Sequence, residues 1–559
     1  MKFYNILFGL CCFGFVTLFS SCNESILKET PMDFFSPENT FLSKAGFDAA
    51  IAGLHDGVRN EMAGADDQNE NSMNHFTDLW TDAPVAPTVV DSQWLILNPT
   101  SAYPAFYWDW AYKQVIARAN TIITRAENPD VKWSASTDKN QIVAEARFLR
   151  GYAYSVLVKL FGGVPIVKEE VTTPKFDYVR ASKTEVLNFI VSDLTFASQN
   201  LPPTTTQPGR IVKAAADHYL SEMYLCLGQY DNAISSASSV INSGIYKIMT
   251  NRFGDLTRPG DVFSDLFWTN QLNYSASGNM ETIWVLQVQY GVTGGIPGDG
   301  GNAQLRHYGP AFDNLKDPNN KQAILVCDSL GRGNGWITPT YYSRNTIWAS
   351  DWNKDIRNSK YNIRRDFYYN NLAPFKGQKI EIISGSDGKS YWKGTSPLKL
   401  VVPIDTLRYM FPWFRKLEGN YNGNPSTGRS YKDFIKARLA ETYLLRAEAY
   451  LMKGDKQKAA DDINVLRNRA SATPVDPGKV DIDYILDERA RELMIEERRL
   501  RTLIRMGKVL DRVPKYNFRE RDLNSGASFL KANKNELWPI PQSAIDANKD
   551  AKLEQNPGY

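Results

Sequence analysis

The chain of 559 residues is long enough to bury a sizeable core, and its 65 basic and 62 acidic side chains leave a formal net charge of only +3. So even a balance gives no overall pull toward nucleic acid or an anionic membrane surface. A composition of 43% hydrophobic residues, with 12% aromatic, is that of a globular protein and excludes a disordered one.

Lys2 precedes an apolar run from Ile6 to Phe19, and Phe19-Ser20-Ser21-Cys22 follows. The run has the length of a signal-peptide core and is short for a membrane span. Small residues immediately before a cysteine resemble the bacterial lipoprotein cleavage box, although Phe19 stands where leucine is usual. That resemblance makes residues 1–21 a signal peptide and Cys22 the lipidated first residue, with 22–40 as an acylated tether. An ordinary secretory signal cut elsewhere is the alternative. Cys226 and Cys327 then remain in the folded body, and nothing local argues for a disulfide between them.

Asp48 to Arg59 opens the first helical pattern, and from Met62 to Pro104 periodicity disappears into a loop carrying Trp80, Trp94 and Tyr103. Helix resumes at Phe106, where Trp110, Val115, Ile116, Ala119 and Ile122 share a face, and continues from Ile142 to Leu160 before Gly162-Gly163-Val164-Pro165 stops it. Ser182-x-x-Glu185 is a capping box for the next helix. A hairpin follows over Val212 to Gly244. Residues 250–430 then form a loop-rich subdomain with short elements, among them a strand within Glu281 to Val288.

A second hairpin runs from Ala437 to Ala470, with Ala437, Ala440, Leu444, Ala447 and Leu451 on one face and Gly454 at the turn. Glu222-x-Tyr224-Leu225-x-x-Gly228-x4-Ala233 matches Glu448-x-Tyr450-Leu451-x-x-Gly454-x4-Ala459 position for position. This spacing resembles the tetratricopeptide type of helical repeat, in which stacked hairpins share a core. One further helix is expected from Ile485 to Arg505. The fold class is therefore mainly α: one domain over 41–559, its helical-repeat scaffold at about 41–249 and 431–559, interrupted by the loop-rich insert.

Chemistry-bearing patterns are sparse. His55, His75, His218 and His307 lie far apart without metal-ligand spacing, and no GxSxG, Walker loop or GxGxxG before a helix occurs. The glycine cluster Gly291 to Gly301 opens no helix that could present its N-terminus to phosphate. The acid-rich segment Asp483 to Glu497 alternates with arginines at spacings of three and four, the pattern of a solvated or salt-bridged helix. Neither a catalytic residue, a metal site nor a cofactor is assigned. Aromatics in loop-like sequence are the remaining resource: Trp80, Trp94, Tyr103, Trp336, Tyr341, Trp348 and Trp352. A flat ring buries the apolar face of a sugar while polar neighbours satisfy its hydroxyls.

Cys22, Ala146 to Pro165, Ala440 to Asp455, Ile463 to Ala470, Ile485 to Lys508 and the terminal segment Leu537 to Tyr559, with its WPIP and QNPGY, together resemble the SusD/RagB family of Bacteroidetes outer-membrane lipoproteins. Met494 to Leu500 departs from the pattern, where the family carries Phe-Glu, Gly and an aromatic. The resemblance implies a surface-exposed protein, lipid-anchored in the outer membrane, that captures oligosaccharide and passes it to a SusC-like TonB-dependent transporter. A RagB-like peptide binder, or a glycan-cleaving enzyme, are the alternatives. The motifs are scaffold and bring no ligand residues with them.

Overall fold

The computed structural model describes residues 40–559 apart from 63–80, 83, 86–92, 293–300, 302, 395–398, 404, 420–422 and 523. Cys22, the signal segment, almost all of the tether, Trp80, His75 and most of the glycine cluster lie outside the described residues.

The 3.6-residue periodicity becomes a run of packed helices: α1 (Lys44–Arg59), α2 (Ala102–Asp109), α3 (Ala117–Arg125), α4 (Asp138–Phe161), α5 (Lys183–Asn200), α6 (Lys213–Cys226) and α7 (Tyr230–Ile241). After the insert come α8 (Leu439–Met452), α9 (Lys456–Arg469), α10 (Ile482–Leu493) and α11 (Arg499–Arg505). Consecutive members of the series α4 to α9 pack on one another, and α8 also packs on α10. The two repeat copies, far apart in sequence, are therefore direct neighbours. Leu225 and Ala233 of the first copy close on Leu445 and Ala449 of the second, so each hairpin buries the face the other leaves open.

The local signals of the sequence have their expected structural counterparts. Ser182 accepts from the Glu185 backbone N–H while the Glu185 carboxylate accepts from that of Ser182, closing the capping box. Gly228 and Gly454 both take the left-handed conformation, at φ +69° and +84°. A Cβ at Gly454 would meet open space, so only the backbone penalty opposes a side chain there. Gly454→Val is expected to cost about 1–2 kcal/mol, read as a lower urea midpoint; an unchanged midpoint would show that the turn can relax.

Between α2 and α3 the chain makes a π-helical turn, Trp110–Ile116, that periodicity alone does not reveal. It lies against Gly57 of α1, where a Cβ would stand 2.6 Å from the Gln114 carbonyl oxygen. Trp110 Nε1 donates to the Gly57 carbonyl at 2.8 Å, which locks that close approach. Trp284, on the strand Thr282–Leu286, packs edge-on against Phe148, Tyr152 and Tyr219 of α4 and α6. Its partner strand is Phe434–Arg438.

Two expectations are corrected. Ala437 belongs to that strand, opposite Trp284, and the second hairpin begins at Leu439 because its first expected turn is spent on sheet pairing. The helix expected from Ile485 to Arg505 breaks after Leu493, with Ile495 at φ +76°, and restarts at Arg499. A β-branched residue resists this conformation. The Glu492 carbonyl, left open by the helix end, accepts instead from Lys416 Nζ and Arg438 Nη2, both at 2.8 Å.

The insert contributes short antiparallel ladders and single-turn helices, and buried charge ties it to the scaffold. Arg357, fully buried in the insert, donates to Asp355, Glu488 and Glu492 at 2.7 to 2.9 Å. Glu492 is also held by Arg438 at 2.6 Å and by Arg469, and Glu488 by Arg467 and Arg491, each at 2.9 Å. The acid-rich segment is thus salt-bridged, as expected: Glu488 and Glu492 pair inside the core, whereas Asp483 pairs with Lys508 and Arg512 nearer the surface.

These pairs make stability acid-sensitive. Burial alone would raise the Glu488 carboxyl, yet Arg357, Arg491 and Arg467 outweigh it and bring the pKa to about 2. Asp82, also buried, is brought to about 2 by Arg499 and Arg512. Groups whose pKa is lower in the folded state stabilise it above their unfolded values, and that stabilisation disappears as pH falls through the folded ones. The melting temperature is expected to fall steeply from about pH 4.5 toward pH 2; a melting temperature at pH 3 equal to that at pH 6 would refute it.

Candidate functional site

The two aromatic loops meet in space. Residues Pro84–Val85 pair antiparallel with Thr338–Pro339, and Thr340 Oγ1 donates to the Asp82 carbonyl at 2.8 Å. Asp82 fixes the root of the first loop through Arg499, at 2.8 Å, and Arg512, at 2.7 Å. From Thr340, which caps it, a single helical turn Tyr341–Arg344 leads into the 3-10 turn Thr346–Asp351 and then Trp352.

Helical pitch divides the aromatics between core and surface. Tyr342 turns inward, stacks on Tyr516 at 4.1 Å and donates to Asp487. Tyr341, one residue earlier, is 68% exposed. Trp348 turns inward and donates from Nε1 to the Ser343 carbonyl at 2.9 Å, whereas Trp352 is 41% exposed. Asp351 pins the far end of this stretch, accepting from Arg467 at 2.7 Å and from Thr473 Oγ1 at 2.6 Å. Tyr341 and Trp352 therefore stand on a segment clamped at both ends to scaffold helices, which limits the entropy lost when a ligand binds.

The expected set is accordingly reduced. Trp94 and Trp348 are closed inside the core and offer no ring face. Trp336 is also buried, stacked on His307 at 5.1 Å. Tyr103 is half-buried against the core, and Trp80 lies outside the described residues. Among the described members of the set, Tyr341 and Trp352 carry the exposed rings. Trp284, Trp108 and Trp110 are core residues, as their helical and strand periods imply.

Sequence reasoning missed the cations beside these rings. Arg365 lies 4.6 Å from the Trp352 ring centroid and donates to Asn358 Oδ1 at 2.5 Å, while Asn358 Nδ2 donates to the Trp352 carbonyl at 2.7 Å. Arg344 ends the helical turn that Tyr341 begins. No local motif announces this pairing, since 21 positions separate Arg344 from Arg365.

A cleft of about 460 Å³ lies elsewhere, between α2, α3, residues 165–178 and the helix Gln542–Ala547, walled by Trp108, Tyr112, Phe176 and Tyr178. Two of its polar groups are engaged by the protein: Tyr112 Oη donates to the Pro165 carbonyl, and Asn120 Nδ2 to those of Val167 and Glu169. Cys226 and Cys327 are unpaired thiols, and burial pushes that of Cys226 up to about 11, far from a nucleophile's range. Among the described residues no cluster of His, Cys, Asp and Glu has metal-site geometry.

The terminal motifs do structural work. Asn556 Nδ2 donates to the Phe161 and Trp538 carbonyls, at 2.9 and 2.7 Å, and Gln555 and Ile540 exchange hydrogen bonds. QNPGY thereby fastens WPIP beneath the end of α4.

Stacked helical hairpins interrupted by one loop-rich insert define the class: a SusD-type helical scaffold. The SusD family model matches residues 267–559, more than half of the chain, and a second model, starch-binding associating with outer membrane, matches residues 32–225. The chain belongs to the SusD family. It is 26% identical over 446 residues to the starch-binding protein SusD of Bacteroides thetaiotaomicron, covering 74% of this chain and 72% of that one. A SusD-like protein of Formosa agariphila is 23% identical over 587 residues, covering both chains fully. Among solved structures, a laminarin-binding SusD-like protein superposes with a TM-score of 0.63 at 21% identity, over 92% of this chain and 99% of that one.

Proposed function

We propose that this protein captures oligosaccharide at the cell surface on the Tyr341–Trp352 platform and passes it to a SusC-like TonB-dependent transporter, while a lipid on Cys22 holds it to the outer membrane. The observation that carries the reading is the pair of exposed rings on a segment clamped at both ends. Family membership and relatives named for starch and laminarin binding support the choice of glycan. The role is capture without bond cleavage. A shallow platform with few contacts suits a dissociation constant between micromolar and millimolar, about −8 to −4 kcal/mol, weak enough for release to a transporter.

The test is titration of the full-length chain in detergent with a panel of oligosaccharides, beside the double variant Tyr341→Ala/Trp352→Ala. Affinity is expected to fall about tenfold or more, each ring contributing on the order of 1 kcal/mol. The melting temperature should hold, because both rings are largely outside the core. Heat from a peptide pool alone would overturn the glycan reading. Full affinity in the double variant would move the site off this platform.

A further inference from the structure

Arg344 and Arg365 differ from the arginines of the buried networks. Neither has a carboxylate partner among the described residues; the Nε of each is also buried without a hydrogen-bond partner, a feature they share with Arg469, Arg501 and Arg505 of those networks. Arg365 has one side-chain hydrogen bond, to Asn358, and Arg344 has none among the described residues. The nearby acids are engaged elsewhere: Asp351 with Arg467 and Thr473, Asp355 with Arg357, and Asp366 with Lys379 at 2.7 Å. Two half-buried guanidinium groups are thus left without an acid among the described residues: Arg365 lies over the exposed Trp352 ring and feels the charge of Arg344, which ends the helical turn that the exposed Tyr341 begins.

Such an arrangement costs free energy in the empty protein. Burial, and then the charge of Arg344, press the Arg365 guanidinium down to about 10. Buried charges are ordinarily paired, and the planar fork of a guanidinium matches the two oxygens of a carboxylate or sulfate. A neutral sugar has no group that would relieve like-charge repulsion. An acidic sugar packed against Trp352 would bring an anion to two cations that lack one among the described residues.

We propose that the glycan held on this platform is acidic, with Arg344 and Arg365 binding a ring carboxylate or a sulfate ester. This rests on the glycan reading above and specifies its chemical class.

The experiment titrates the full-length chain in detergent with three oligosaccharide pools of matched length: an oligogalacturonide, a sulfated galactan and a neutral β-glucan. Each is run at low and high salt, with wild type and with Arg344→Gln/Arg365→Gln. At least one anionic pool is expected to bind more tightly than the neutral one, with an affinity that weakens as salt rises. The double variant should lose about tenfold or more of that affinity. Which anionic pool responds decides between carboxylate and sulfate.

The variant's melting temperature should be unchanged or higher, since it removes unpaired buried charge; a marked fall would make the arginines structural and overturn the proposal. Neutral glucan binding as tight as the acidic pools, and lost in Tyr341→Ala/Trp352→Ala, would overturn the acidic class while leaving the glycan reading intact. Binding of an acidic peptide and of no glycan would overturn both, as would binding of none of these probes.

Discussion

Glu492→Ala is expected to destabilise the folded chain by about 3–5 kcal/mol, the range for removing one partner from a buried ion pair. Glu492 sits at the centre of the buried network, where Arg357, Arg438 and Arg469 all donate to its carboxylate. Burial opposes its charge, and the three guanidinium groups, Arg469 and Arg438 foremost, more than offset that and hold the carboxyl well below the usual range. Removing it takes one charge from a buried cluster in which Arg357 keeps Asp355 and Glu488, Arg438 keeps Glu281 and Glu496, and Arg469 keeps Glu281 alone, leaving one positive charge in excess. The effect spreads beyond α10, because Arg357 belongs to the insert, Arg438 to the strand and Arg469 to α9. A lower urea midpoint measures the loss. Lys113→Ala, which removes an exposed pair with Asp109, is the control and should leave the midpoint where it is. A Glu492→Ala midpoint equal to that of the control would show that water enters to solvate the arginines.

Cys22→Ala is expected to move the protein from the membrane fraction to the soluble one. The apolar run Ile6 to Phe19 has 14 residues, about 21 Å as a helix against a hydrocarbon core of about 30 Å. No helix among the described residues is long and apolar enough to cross a membrane. Attachment through Cys22 would therefore rest on acyl chains, at about 0.8 kcal/mol for each buried CH2. One chain gives marginal, reversible binding and several together a lasting anchor. Fractionation with labelled palmitate reads both attachment and acylation. A Cys22→Ala chain that stays membrane-bound would refute the anchor.

Much of the scaffold is legible in order. The matched hairpins, their left-handed glycines, the capping box and the strand around Trp284 are local features, determined within a few turns of chain by side-chain period, capping chemistry and allowed φ. Ala437 and the break at Leu493 were not legible, because sheet pairing with Trp284 and capture of the Glu492 carbonyl both involve remote partners.

The candidate site was only half visible. The sequence singled out Trp336, Tyr341, Trp348 and Trp352 as loop aromatics; it did not say which two face solvent. That depends on how a single helical turn and a 3-10 turn seat against Tyr516 and Asp487, elements more than a hundred residues away. The charges divide in the same way. Residue spacing gave Asp483 to Glu497 the pattern of a solvated or salt-bridged helix, and Arg491 with Glu488 is one such local pair. Only the tertiary structure brought Arg357 to Glu488 across 131 positions of chain, and only it left Arg344 and Arg365 without an acid among the described residues. Local spacing sets which groups can meet along a helix; whether a charge is dry, paired or free to bind depends on what the rest of the chain packs around it.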